Sequence, residues 1–244
     1  MENTVRVSVT RTAVLTLALG LTAGAAQAQS VDEIVSRNIE AKGGAALLAA
    51  TTSVRTVGTG TMQGAAVTVN SASKRPSFFR NEMEMGGQKL VQGFDGTTLW
   101  VAAGNMPPQA LPPGPQTESL KHSSQIDSPL LNYKEKGTKI DLGEPLTESG
   151  RTYHHLIVTP RTGPAMHYYI DSATNLESKM IIDVEDGGQK MKMEMRFSNF
   201  KAIDGRTVPF TVSQYVNGKE VGQMHFERVE FNVPLDDSIF RMPK

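Results

Sequence analysis

The feature that most constrains the fold is the strict two-residue alternation in MKMEMRF, residues 191–197. Three methionines and Phe197 occupy every second position, and charged residues occupy the positions between them. Successive side chains of a β-strand point to opposite faces of the sheet. The segment is therefore predicted to be a strand with one apolar face and one charged face.

Similar segments recur along the chain and are separated by turn signals. LESKMIIDVE precedes MKMEMRF, and Asn217-Gly218 joins TVPFTVSQYV to EVGQMHFERVEF. Asp95-Gly96 in GFDGTTLW predicts a type I′ hairpin, because both residue types tolerate positive dihedral angles. We identify about ten strands and no alternation of strands with helices, which indicates an antiparallel sheet. The predicted fold class is α+β, mainly antiparallel β.

Helix signals are concentrated near the N-terminus. Ser30 and Glu33 have the spacing of a capping box, and apolar residues at helical spacing follow them. Gly43-Gly44 is expected to end this helix, and AALLAA to add a short helical turn. At the other end of the chain, VPLDDSIFRMP is expected to pack Phe240 against the sheet.

The first 28 residues have the pattern of a cleavable signal peptide. Arg6 and Arg11 precede the apolar run AVLTLALGLTAGAA, and the small-x-small pattern AQA follows. We expect cleavage after Ala28 and a periplasmic protein; an uncleaved membrane anchor is the alternative. Residues 29–244 are then predicted to form a single domain, which has no cysteine and hence no disulfide.

The charge balance excludes one large class of partners. The chain has 25 basic and 25 acidic residues, interspersed along its length. Nucleic-acid binding depends on an excess of positive charge that displaces counterions, and this chain has none. No apolar run after residue 28 is long enough to span a membrane. We expect a monomer without nucleic-acid partners and without an integral membrane span.

A proline-rich insertion interrupts the strands at about residues 104–131. Five prolines fall within residues 107–115, and their missing amide hydrogens argue against regular structure there. TESLKHSSQIDS, which follows, could hold one short helix. Long loops of this kind are often lids or binding loops, but a surface excursion without a function explains the composition equally well.

The histidines give little support to catalysis or metal binding. His154 and His155 point to opposite faces of a strand, so they cannot easily chelate one ion. His155 could meet His167 or His225 across strands, but no metal motif and no nucleophile elbow is present. A hydrolase that uses His122 or His155 is the least favoured interpretation. We predict no catalytic residue, no metal site and no cofactor.

The methionine-rich face suggests a different kind of site. Methionine side chains are flexible and polarisable, so they adapt to irregular apolar partners. The alternative is a plain core packed beneath the N-terminal helix. If the face lines a cavity, the predicted ligand-binding residues are Met83, Met85, Trp100, Met180, Ile182, Met191, Met193, Met195 and Phe197.

Several motifs together resemble a known family. KRPSFFR, residues 74–80, is followed by GFDGTTLWVA, residues 93–102, and the chain ends with an aromatic-x-x-Pro pattern at residues 240–243. In this order the motifs resemble the LolA-like periplasmic carriers that sort lipoproteins to the outer membrane. SPLLNYKEKG and YYIDSATNLESK are similar to the looser, sorting-protein-like wing of that family.

The resemblance implies an incomplete β-barrel whose concave face is lidded by the N-terminal and inserted helices. It implies binding of lipid or lipoprotein acyl chains, with envelope proteins of both membranes as partners and without catalysis. Arg75 matches the arginine that latches the lid; a surface ion pair is the other interpretation of this residue. The methionine-rich interior and the proline-rich insertion depart from the family pattern and bear on the cargo. An envelope protein-interaction module that uses the proline-rich loop is the alternative function.

Overall fold

The computed structural model describes residues 29–114, 117, 125–186 and 189–243. The predicted signal peptide therefore lies outside the described residues, as do His122 and most of the helix predicted in TESLKHSSQIDS.

The described elements are two helices, one 3-10 turn and fourteen strands. The helices are α1 (Val31–Ala41) and α2 (Ala45–Ala49), and the 3-10 turn is η1 (Asp237–Phe240). The strands are β1 (Ser53–Met62), β2 (Ala65–Lys74), β3 (Phe78–Met85), β4 (Gln88–Phe94), β5 (Leu99–Ala103), β6 (Gln109–Ala110), β7 (Lys139–Leu142), β8 (Leu146–Glu148), β9 (Arg151–Thr159), β10 (Met166–Asp171), β11 (Glu177–Asp186), β12 (Gln189–Ile203), β13 (Arg206–Val216) and β14 (Lys219–Phe231).

All strands belong to one open, curled antiparallel sheet, as predicted. The spatial order is β6-β5-β4-β3-β2-β1-β14-β13-β12-β11-β10-β9-β7, with β8 added beside β9. The first and last long strands therefore pair in the middle of the sheet, while β6 and β7 lie at opposite edges. The chain between these two edges is the insertion, which consequently runs from one edge of the half-barrel to the other.

The strand count exceeds the predicted ten because several strands are short. β6 lies inside the proline-rich segment, where we had expected no regular structure. Gln109 and Ala110 are not prolines themselves, and they pair with Val101 and Trp100 of β5. A two-residue edge strand is compatible with flanking prolines because it needs few backbone donors.

The two predicted hairpin turns differ in outcome. Asn217 and Gly218 have φ of 51° and 79° and join β13 to β14 directly, which confirms that turn. The type I′ prediction for Asp95-Gly96 is wrong, because β4 and β5 are joined by four residues. The carboxylate of Asp95 accepts hydrogen bonds from the backbone amides of Thr97 and Thr98, at 3.0 and 2.7 Å. This side-chain cap replaces the tight turn.

Helix α1 forms as the capping box predicted and covers part of one face of the sheet. Ser30 accepts a hydrogen bond from the amide of Glu33, whose carboxylate accepts one from the amide of Ser30. We call the face that α1 covers the inner face. The core beneath the helix consists of Ile34, Val35, Ile39, Leu130, Leu131, Ile140, Leu156, Val158, Tyr168, Ile170 and Met180.

The C-terminal turn η1 covers the opposite, outer face near β3–β5. Phe240 is fully buried there, as expected, and its ring lies 5.5 Å from that of Phe78. Only glycine fits at position 93 in this region, because a β-carbon on Gly93 would lie 2.4 Å from the Trp100 ring. Within the described residues, no helix is long and apolar enough to cross a membrane.

Candidate functional site

The methionines of MKMEMRF form one wall of the inner face together with the preceding strand. Met195 pairs with Met180, Met193 with Ile182, and Met191 with Val184. Directly paired residues share a face of the sheet. The predicted juxtaposition of these two strands is therefore present.

Helix α1 covers only part of this methionine-rich wall. Met180 is 8% exposed within the core beneath α1, and Met195, Ile182 and Phe197 pack against that core while remaining half-buried. Met193, in contrast, is 44% exposed. The wall thus has a packed end beneath the helix and an open end beyond it. The packed end corresponds to the plain-core interpretation, and the lining of a cavity by these residues stays a prediction.

Met83 and Met85 lie on the same inner face but in a different part of the sheet. They pair with Val69 and Val67 of β2, and both remain half-buried. From β3 to β12 there are five strand spacings, roughly 24 Å along the sheet at about 4.8 Å per strand. These methionines and those of β12 belong to one face without being neighbours along the sheet.

Trp100 lies on the outer face, away from the other predicted cavity residues. It pairs with Gly93, which pairs with Arg80, on the side opposite Met83. Its side chain is fully buried, and its Nε1 donates a hydrogen bond of 2.8 Å to the carbonyl of Phe240. The structure therefore assigns Trp100 to the packing of η1 and not to the inner surface.

Two pockets lie away from α1. A pocket of about 550 Å³ lies at the tips of the β1–β2 and β13–β14 hairpins, between Gln63 and Glu220. A pocket of about 240 Å³ is lined by Thr68, Glu82 and Lys89 of the outer face and also by the predicted site residue Met83. Neither pocket lies beneath α1. We call the apolar inner face of this curled sheet the trough.

Arg75 fastens the insertion to the rest of the fold. Its guanidinium donates two hydrogen bonds to the carboxylate of Asp127, at 2.9 and 2.6 Å, and a third of 2.6 Å to the carbonyl of Thr51. Asp127 belongs to the insertion, and Thr51 follows α2. The carboxylate of Asp127 also raises the pKa of Arg75. One arginine thus joins the helical region to the insertion, as a latch would.

The following part of the insertion also contacts α1. We call residues 125–138 the strap. Leu130 and Leu131 are buried in the core beneath α1. Asp32, in the first turn of α1, accepts hydrogen bonds from Lys134, at 2.6 Å, and from Tyr133. Both hydrogen bonds lower the pKa of Asp32, and the one from Lys134 has the larger effect.

Sequence reasoning missed the strap as a structural element, although it contains one signal. Leu130-Leu131 is an adjacent apolar pair in an otherwise polar stretch. Such a pair indicates local burial, but not against which element. The contact became visible only when the topology placed the insertion between the two sheet edges.

The histidine pair is on the outer face. Nε2 of His155 lies 2.9 Å from Nδ1 of His167, so these two residues meet as predicted. The ring of Tyr169 stacks on His155 at 4.6 Å. Burial, followed by the proximity of His167, lowers the pKa of His155. His154 lies on the inner face near α1, and burial together with Arg37 lowers its pKa.

Neither histidine arrangement forms an evident reactive centre. In the described residues, no group of three or more His, Cys, Asp or Glu side chains is arranged to hold a metal ion. His155 contacts aromatic and imidazole rings, not a serine or a carboxylate.

Fold and surface together define an open antiparallel half-barrel whose inner face is apolar and partly covered by a helix. The sequence matches no protein-family model and no curated protein. Solved structures do resemble it. A DUF1329 family protein from Desulfovibrio piger has a TM-score of 0.58 at 11% identity, covering 86% of this chain and 97% of that one.

Two further structures show the same architecture. An outer membrane lipoprotein-sorting protein domain from Vibrio parahaemolyticus has a TM-score of 0.55 at 12% identity, covering 85% of this chain and 94% of that one. A LolA superfamily protein from Nitrosomonas europaea has a TM-score of 0.53 at 15% identity, covering 88% and 98%. The chain therefore has a LolA-like fold, as the sequence motifs led us to expect.

Proposed function

We propose that this protein is a periplasmic carrier or sensor that binds the apolar chain of a lipid or lipoprotein on its inner face. The observation that carries this proposal is the open end of the methionine-rich wall, where Met193 is 44% exposed. An apolar side chain exposed within an apolar face favours a partner that removes it from water. We place no catalytic step, metal or cofactor in this function.

The properties of methionine support an adaptable ligand. Its unbranched side chain changes shape at little cost and suits chains of varying length. Burial of each methylene group of a ligand contributes about 0.8 kcal/mol when complete. An open trough buries each methylene only in part, so the affinity is expected to be moderate and exchange to be rapid. Moderate affinity suits a protein that must release its cargo.

The proposed location and partners follow from the sequence and the fold. The N-terminal pattern supports export with cleavage after Ala28. The fold is shared with a protein named for lipoprotein sorting to the outer membrane. We therefore propose lipid or acylated lipoprotein as cargo, and envelope proteins of the inner and outer membranes as donors and acceptors. Arg75 is proposed to hold the strap closed over the helical end of the trough.

Lipid retention provides the direct test. Native mass spectrometry of the gently purified protein is expected to show bound lipid, and a fluorescent fatty acid is expected to bind to the delipidated protein. A protein that carries no lipid and takes up no fluorescent fatty acid would exclude the carrier function. N-terminal sequencing of the exported protein should begin at Gln29.

A second candidate function rests on the proline-rich loop. Met106 is 61% exposed and directly precedes Pro107 and Pro108. Proline-rich segments are already extended and lose little entropy on docking. For an interaction module of this kind, Met106→Glu should abolish pull-down of an envelope partner, whereas the matched change Met242→Glu should not. Unchanged pull-down would exclude the loop as the docking surface.

A further inference from the structure

The inner side of β12 changes chemically along its length. It begins with the methionines, continues through Phe197 and the exposed Asn199, and reaches Lys201. Lys201 shares the inner face because it pairs with Val208, while Phe197 pairs with Val212 farther along β13. The Lys201 ammonium lies 4.2 Å from the ring centre of Phe210, which is buried between these two positions of β13. One strand therefore presents an apolar stretch and then a cation.

The ammonium group of Lys201 is available to a ligand. The side chain is exposed, and in the part of the chain that the structure describes it forms no ion pair. The nearby cation Arg206 is already committed, because it is buried and donates hydrogen bonds to Thr51 and to the carbonyl of Leu47. Lys201 is thus the inner-face cation of β12 that is free to meet an anion.

The spacing along β12 fits a single acyl chain. Phe197 and Met195 precede Lys201 by four and six residues, which is roughly 14 to 20 Å at about 3.4 Å per residue. The hydrocarbon core of a bilayer is about 30 Å thick, so an acyl chain that fills one leaflet spans about 15 Å. An acyl chain of that length with its head at Lys201 would therefore extend over Phe197 and end short of Met195, and a longer chain would reach Met195.

We infer that the ligand is a long-chain fatty acid whose carboxylate pairs with Lys201 and whose chain lies along β12 toward Met195. This inference rests on the proposed function and narrows its ligand class. The acyl chains of a lipoprotein are joined as esters or amides and have no charge at that end, so they would gain nothing from the lysine. A free carboxylate gains a charge-assisted hydrogen bond.

The test compares a fluorescent 16-carbon fatty acid with its methyl ester at pH 8, where the acid is ionised and lysine remains charged. We expect wild-type protein to bind the acid about 2- to 5-fold more tightly than the ester, the upper part of the range of a solvent-exposed ion pair. Lys201→Gln should weaken binding of the acid by the same factor and leave the ester unchanged. Lys201→Arg should retain most of the preference.

Lys192→Gln is the matched control, since Lys192 lies on the outer face of the same strand. It should bind both probes like the wild type, and added salt should narrow the difference between acid and ester. Equal binding of acid and ester, or a Lys201→Gln variant that binds the acid like the wild type, overturns the inference but leaves the carrier function standing. Failure of both probes to bind wild-type protein overturns the two together.

Discussion

At the scale of single residues, two methionines on adjacent strands of one wall have opposite surroundings. Met180 is buried beneath α1, and Met193 lies beyond the helix, one residue pair farther along the hairpin. The same residue type on the same face thus contributes to folding at one position and is available for contact at the other. Substitutions at these two positions can therefore separate the proposed binding role of the wall from its contribution to the stability of the fold.

Substitution by aspartate should distinguish the two positions. Met193→Asp should weaken fatty-acid uptake about tenfold or more, because the ligand would contact a desolvated carboxylate. The free energy of unfolding should change by less than about 0.5 kcal/mol, as is usual at exposed sites. Met180→Asp should instead lower the free energy of unfolding by about 3 kcal/mol or more. Urea denaturation and fluorescence titration provide both readouts.

The outcome also decides between the two interpretations of the wall. If Met193→Asp unfolds the protein as readily as Met180→Asp does, the whole wall is core and the ligand-binding surface lies elsewhere. If neither substitution affects uptake, the inner face is not where the ligand binds.

The outer-face histidines predict a pH dependence of stability. The pKa of His155 is lowered in the folded protein by burial and by His167. At a pH above the pKa of histidine in the unfolded chain, near 6.5, such a group leaves the free energy of unfolding unchanged. As the pH falls below that value and through the lower pKa of the folded protein, the free energy of unfolding decreases. The free energy of unfolding, measured in urea, should therefore decline between pH 7.5 and 5.5. His155→Gln should flatten this decline, and an unchanged slope would show that other groups cause it.

The periodicity of a strand predicts which face of the sheet each side chain occupies. It does not predict which part of that face is covered by another element. The alternation of residues 191–197 correctly indicates which side chains share a face. It cannot indicate that α1 ends before Met193, because the position of the helix depends on tertiary packing. Trp100 shows the same difficulty: its strand was correctly predicted, but its face depends on the register of β4 and β5.

At the scale of elements, the strap is the part that the sequence describes least. It leads directly into β7, an edge strand of the sheet, and a local pattern cannot identify a strand as an edge. It is held by Leu130 and Leu131 in the core, by Asp127 on Arg75, and by Tyr133 and Lys134 on α1. Three independent attachments make it an integral part of the fold.

Asp127→Asn tests the attachment to Arg75. The variant keeps the shape but removes the charge of a bidentate pair whose side chains are 34% and 20% exposed. Allowing for solvent screening, we expect a loss of about 1 kcal/mol in the free energy of unfolding. Hydrogen exchange of backbone amides in residues 125–138 should accelerate.

The exposed ion pair of Lys139 and Asp141 offers the matched control. These side chains are 74% and 48% exposed, so Asp141→Asn should change neither stability nor exchange measurably. Exchange in the strap that is equally slow in the wild type and in Asp127→Asn would show that Arg75 does not hold it in place.

At the scale of the whole molecule, curvature depends on the pairing of β1 with β14. We call this pairing the seam, and glycines lie where its two strands come closest. A β-carbon on Gly60 would lie 2.0 Å from the carbonyl oxygen of Gln223, and one on Gly58 would lie 2.6 Å from that of His225. The pairing also shifts register between Val57 and Gly58, and such bulges increase local twist and bend. A conventional side chain would force the two strands apart.

Gly60→Ala should consequently lower the free energy of unfolding by about 3 kcal/mol or more, because overlap with backbone cannot be relieved by a rotamer change. Gly114→Ala is the control, since nothing lies within 4 Å of its added β-carbon. Thermal unfolding followed by circular dichroism measures both. Similar melting temperatures for the two variants would contradict a tight seam.

The fold class was predictable from the sequence, and the seam was not. Alternation, turn residues and the capping box are local signals, and they indicate an antiparallel sheet with an N-terminal helix. The pairing of β1 with β14 joins residues far apart in the chain. Nothing in SVRTVGTGTM identifies β14 as its partner, although Gly58 and Gly60, two positions apart, leave room for a close neighbour.

The position of this seam has a consequence for how the chain is made. Synthesis delivers a chain from its N-terminus, so β1 emerges well before its partner β14. Until then β1 carries a row of unpaired backbone groups, which are a template for association with other chains. Aggregation of the nascent protein should therefore begin at β1, and chaperone protection should be needed until the last hairpin has emerged. Truncations that remove β14 should be insoluble even though they retain the entire methionine-rich wall.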